Sequence, residues 1–89
     1  MHYEFVGFSA TRRGAVTTTL SNLDLLERGN ISPTTAKIQL LRTATALANS
    51  GYTIVWENRP FTDQELDERM DAICAGIWVE DQEIYAEFG

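Results

Sequence analysis

Residues 50–76 read S-G-Y-T-I-V-W-E-N-R-P-F-T-D-Q-E-L-D-E-R-M-D-A-I-C-A-G, and the fold class turns on how this stretch is divided. Ser50-Gly51 ends a helix, because glycine adopts the left-handed conformation that closes one without a Cβ clash. Tyr52, Thr53, Ile54, Val55 and Trp56 are aromatic or β-branched and suit a pleated surface, so residues 52–56 are expected to form a strand, placed centrally in its sheet. Asn58-Arg59-Pro60 stops it. Thr62-Asp63-Gln64-Glu65 then has the spacing of a capping box, in which the threonine and glutamate side chains each accept from the other's backbone N–H, with Phe61 and Leu66 set for a hydrophobic staple. A helix is expected over residues 63–75, with Leu66, Met70 and Ile73 in a narrow arc and Gly76 as its terminator.

Towards the N-terminus, Ser32-Pro33 starts a helix that runs to Asn49: serine caps a free N–H, and proline at the first helical position loses no hydrogen bond. Its apolar arc holds Ala36, Leu40, Leu41, Ala44, Leu47 and Ala48, with Lys37 inside it covering apolar surface by its stem. Residues 21–28 are expected to form a short helix stopped at Gly29. Two strands precede it, at residues 2–8 and 15–20, joined as a hairpin by a polar loop at residues 9–14. Towards the C-terminus, Ile84, Ala86 and Phe88 alternate with Glu83, Tyr85 and Glu87, so residues 77–88 are expected to form an edge strand with a charged outer face. The expected architecture is a single α+β domain over residues 1–89, a mainly antiparallel sheet of three to four strands with two or three helices packed on one face.

Composition fits a folded chain, with 44% hydrophobic and 22% charged residues. The net charge is −6, and ten of the thirteen acids lie in residues 57–89 against only Arg59 and Arg69 there. Such a field attracts cationic surfaces and repels nucleic-acid backbones. The single cysteine, Cys74, excludes an internal disulfide and falls beside the apolar stripe, so a buried, inert thiol in a reducing compartment is expected. The sequence opens M-H-Y-E-F without an apolar leader and nowhere approaches the ~20 apolar residues that span a bilayer, which reads as cytoplasmic. Asn30-Ile31-Ser32 fits a glycosylation sequon only by chance on that reading.

Asp63, Asp67 and Asp71 recur every four residues with Glu68 alongside, an acidic ridge whose like charges repel by roughly 0.2–0.5 kcal/mol per pair. The helix N-terminus and a Glu65–Arg69 pair offset part of this. The ridge is a candidate docking surface for a basic partner, with Trp56 and Trp78 as candidate aromatic contacts. Evenly spaced carboxylates on one helix cannot wrap a metal ion, His2 is the only histidine, and no nucleophile motif or phosphate-binding glycine loop occurs, so neither cofactor nor catalysis is expected. The function expected is a small non-enzymatic protein-binding module, an inhibitor or modulator of phage or mobile-element type, whose acidic surface meets a basic, nucleic-acid-handling protein. Two alternatives stand beside it. One is a nucleic-acid-associated regulator using Arg12, Arg13, Lys37 and Arg42, although a pI near 4.5 argues against a phosphate-binding stripe. The other is a structural subunit that self-associates through a strand edge, as a homo-oligomer.

Overall fold

The computed structural model describes residues 3–88, which run β1 (Phe5–Arg12), β2 (Ala15–Ser21), α1 (Asn22–Glu27), α2 (Pro33–Asn49), β3 (Thr53–Arg59) and α3 (Asp63–Phe88). The three strands form one antiparallel sheet in the order β2-β1-β3, so the α+β class holds. The expected central place of β3 does not: β1 takes the middle, and β3 is an edge. β1 pairs with β2 from Gly7 to Arg12 and with β3 from Phe5 to Thr11, and its side chains explain the choice, since Phe8 and Ala10 are buried whereas most of β3 is exposed.

β1 also runs further than expected. The polar residues Ser9 and Thr11 continue the strand because they alternate with the fully buried Ala10 and point to the other sheet face, and Arg12 ends it, exposed at the hairpin tip. The turn shrinks to Arg13-Gly14, with φ of 55° and 80°, the two positive values that a tight hairpin matching the strand twist requires. Register is Gly7↔Ser21 through Ala10↔Thr18, then shifts so that Thr11 faces Val16, leaving Thr17 as a bulge whose hydroxyl donates to Ala10 O at 3.1 Å. The β1–β3 ladder runs unshifted from Phe5↔Arg59 to Thr11↔Thr53.

Ser21 ends β2 and caps α1 at once. Its hydroxyl accepts from Asp24 N and the Asp24 carboxylate accepts from Ser21 N, a capping box that fixes the strand-to-helix corner. Gly29 closes α1 with φ 79° as expected. Ser32 caps α2, accepting from Thr35 N, with Pro33 in the first turn. Ala36, Leu40 and Ala44 of α2 join Phe8, Ala10, Leu23, Leu25, Leu26 and Ile73 in the core. The apolar arc of α2 is narrower than the sequence implied: Leu47 is half-buried, and Leu41 and Ala48 are exposed.

The largest departure is α3. It passes through Gly76 and continues to Phe88, so the edge strand expected at residues 77–88 is helical. Gly76 is buried inside the helix, and a Cβ there would lie 2.5 Å from Leu26 Cδ2, so the missing side chain lets α3 close on α1 rather than ending α3. Arg69 departs from helical geometry, with φ −123° and ψ 17°, and bends α3 in its first half. α3 packs mainly on α1, with a smaller contact to α2. No helix among the described residues is long and apolar enough to cross a membrane.

Candidate functional site

The start of α3 is held by one cation. Arg59, at the end of β3, donates from Nη1 and Nη2 to the two carboxylate oxygens of Glu65 at 2.6 and 3.1 Å, and from Nε to Glu57 at 2.9 Å. Its guanidinium lies 4.0 Å from the centroid of the Phe5 ring. Gly7 leaves room for that ring, since a Cβ there would sit 3.1 Å from it and 3.0 Å from Leu20 O. Glu65 also accepts from Thr62 N at 2.9 Å while Thr62 Oγ1 accepts from Glu65 N at 3.1 Å, the capping box expected from the sequence. The Arg59 guanidinium, followed by the Thr62 backbone, lowers the Glu65 carboxyl to about 2.

The Glu65–Arg69 pair does not form. Glu65 is engaged by Arg59, and Arg69 turns to α1, with Nη1 3.5 Å from Asp24 and Nε 3.2 Å from Glu27. Both arginines of the acidic third are therefore spent off the ridge. Among the described residues, no ion pair reaches Asp63, Asp67, Glu68 or Asp71, all of which are exposed; Glu68 accepts only from Gln64, at 3.0 Å.

Because α3 continues past the bend at Arg69 and through Gly76, Trp78 lies on the same element as this ridge, in the segment beyond the bend with Asp71. Asp71, Cys74 and Trp78 recur at helical spacing along its exposed face, and Trp78 is 64% exposed. The thiol of Cys74 is thus exposed, not buried as expected: the turns around it pack on α1 through Ile73 and Gly76, which leaves Cys74 facing outward. Trp56 stands apart on β3, its ring edge-on to Phe8 with centroids 5.5 Å apart. His2 lies outside the described residues.

The basic candidates do not converge. Arg12 and Arg13 are at the hairpin tip, where Arg12 lies 5.4 Å over the Tyr52 ring. Lys37 lines a hollow of about 210 Å³ with Val6 and Asn58 at the opposite end of β1. Arg42 is on the outward side of α2 with Leu41 and Thr45. On the open sheet face, Ser9, Thr19 and Ser21 line a cleft of about 270 Å³ rimmed by Asp24, Glu57, Glu65 and Arg69. Those rim charges are already held in ion pairs, with Arg59 or with each other. No group of three or more His, Cys, Asp or Glu among the described residues is placed to hold a metal ion.

One polar cluster escaped the sequence reading altogether. Glu80 is 6% exposed, and its carboxylate accepts from the Thr34 backbone N–H at 3.3 Å, from the Thr34 hydroxyl and from the Tyr3 hydroxyl. It thereby sits on the positive end of α2. Burial raises its pKa, but the Thr34 and Tyr3 hydrogen bonds outweigh that and leave it below the ordinary carboxylate value. Tyr3, desolvated and facing this charge, is pushed up to about 12. A signal for the cluster existed: Glu80 follows Ile73 and Ile77 in phase, at the next inward position of a continuing helix.

Compared with protein-family models, with curated proteins and with solved structures, the chain matches none of them.

Proposed function

We propose that the protein is a small non-enzymatic binding module, an inhibitor or modulator of phage or mobile-element type, that presents the acidic face of α3 to a basic surface on a nucleic-acid-handling protein. The observation that carries this reading is the diversion of Arg59 and Arg69 to Glu57, Glu65, Asp24 and Glu27, which leaves Asp63, Asp67, Glu68 and Asp71, on the two sides of the Arg69 bend, without an ion pair among the described residues. Internal neutralisation would have been easy, since Arg69 lies within the same two turns as the ridge. An uncompensated row of carboxylates steers cationic surfaces and competes with phosphates for them. The exposed Trp78 further along the helix supplies an apolar anchor of the kind that carries binding energy at interfaces.

The test replaces Asp63, Asp67, Glu68 and Asp71 together with Asn or Gln. Partner capture from native lysate is then compared between the two proteins at low and physiological salt. The expected outcome is a captured protein that heparin displaces, whose affinity and salt dependence both fall in the neutral variant, with the thermal midpoint unchanged or slightly raised. Equal capture at both salt concentrations would refute the reading, and direct binding of the protein to duplex DNA at low salt would favour Arg12, Arg13, Lys37 and Arg42 instead.

A further inference from the structure

The two edges of the sheet are built differently. β2 carries the bulge at Thr17, a device that twists an edge away from further pairing. β3 has no such protection: its ladder with β1 is unshifted throughout, Pro60 lies beyond its end, and it is terminal in the strand order. Its exposed apolar side chains lie on both faces. Trp56, opposite Phe8, is on the helix-covered side and 43% exposed; Val55, opposite Ser9, is on the open side and 58% exposed. A regular, uncapped strand with apolar groups on both faces offers both backbone hydrogen bonds and side-chain burial to an added strand.

We propose that the added strand is β3 of a second copy, paired antiparallel over residues 53–57 about a twofold axis through Val55, so that the two sheets become one. This pairing sets Val55 against its symmetry mate on the open face, Trp56 against Ile54 of the other copy on the helix face, and Thr53 against Glu57. Each exposed apolar group of the strand meets an apolar partner. The charges also sort correctly. Residues 53–56 carry none, and the two Glu57 side chains fall at opposite ends of the new ladder, about 13 Å apart along the strands, beyond the roughly 10 Å screening length at 0.1 M salt. A basic extended peptide would find a single carboxylate on this strand, Glu57, and that one is already bonded to Arg59, so charge favours the copy over such a peptide. Because each chain carries a net −6, association strengthens as salt rises, opposite to the behaviour expected of the acidic ridge of α3 with a basic partner.

Sedimentation of the intact chain over a wide concentration range, at low and high salt, tests this independently of the ridge. Expected are a weight-average mass rising towards the dimer, earlier at high salt, and dimerisation weakened roughly tenfold or more by Val55→Lys, which sets two ammonium groups against each other at the axis. Val16→Lys, a matched exposed change on the bulged edge, should leave dimerisation unaltered. A second readout uses a Trp78→Phe background, in which emission from Trp56 should shift to the red on dilution. A wild-type monomer under all conditions, an unaltered dimer in Val55→Lys, a dimer lost in Val16→Lys, or Trp56 emission independent of concentration would each overturn the proposal.

Discussion

Gly76→Ala tests whether α3 closes on α1 as described. Gly76 has no positive φ, so alanine there gains about 1 kcal/mol of helix propensity if nothing else changes. Against this, the new Cβ would lie 2.5 Å from Leu26 Cδ2 and 3.5 Å from Leu26 Cγ, whereas carbon atoms settle near 3.5–4.0 Å. The methyl group must therefore move by about 1 Å. Leu26 is only 4% exposed and its neighbour Leu23 is fully buried, so it has little room, and overpacking of this kind costs about 1–3 kcal/mol. The clash outweighs the propensity, and a net loss of about 1 kcal/mol is expected. A helix terminator at residue 76 would give a similar loss, so the deciding measurement is coupling. Leu26→Ala alone should cost about 2–5 kcal/mol by leaving a cavity. In the Gly76→Ala background that cavity receives the new methyl group, and the cost should shrink by about 1 kcal/mol or more. Urea denaturation followed by tryptophan emission supplies all four stabilities. Strict additivity, or a Gly76→Ala protein more stable by the full propensity gain, would refute the close α1–α3 approach.

Acid should destabilise the fold in a definite window. Glu65 is lowered to about 2 in the folded chain against an ordinary 4.5, so its contribution is complete above pH 4.5 and is lost as pH falls towards 2, and Glu80, also lowered, adds to the loss in the same direction. Glu65 should account for about 1–3 kcal/mol of it after solvent screening, and Glu65→Gln should flatten the pH dependence of the urea midpoint by that amount; an unchanged slope would contradict its pairing with Arg59. Thr62→Ala should cost about 0.5–2 kcal/mol by removing the acceptor for Glu65 N, measured by the same denaturation, and a loss near zero would show the cap to be idle.

The parts of the fold legible in the sequence were those fixed by local chemistry. Ser32-Pro33 and Thr62…Glu65 signal helix starts because cap and backbone lie within three residues of each other, and both caps form. The second half of α3 was not legible for two reasons. A glycine that permits close packing is written with the same letter as one that ends a helix, and only Leu26, fifty residues earlier in the chain, tells them apart. Glu80 then occupies an inward slot where an apolar residue would have continued the stripe, so helical periodicity is masked while the alternation at residues 83–88 stands out. The place of β3 was misread for a related reason: an apolar, β-branched strand looks central whether or not another chain or strand covers it. Of the candidate site, the ridge acids and Trp78 were found singly, but their common helix was not, and the engagement of Arg59 and Arg69 elsewhere depends on Glu57, Asp24 and Glu27, which no local spacing connects to the ridge.

The Glu80 carboxylate joins residues 77 positions apart when it accepts from Tyr3, and it simultaneously binds the start of α2. Beyond it the next turn of α3 has no buried side chain among those described, and Asp81 and Glu83 stand towards the helix end where negative charge is unfavourable. Amide hydrogen exchange should therefore change abruptly at this residue. Protection in the turns before Glu80 reflects opening of the core, while amides after it exchange through local fraying of the helix. Tyr3 and the first turn of α2 are tied to the same carboxylate, so loss of Glu80 should raise exchange in these two segments, distant in sequence, in step.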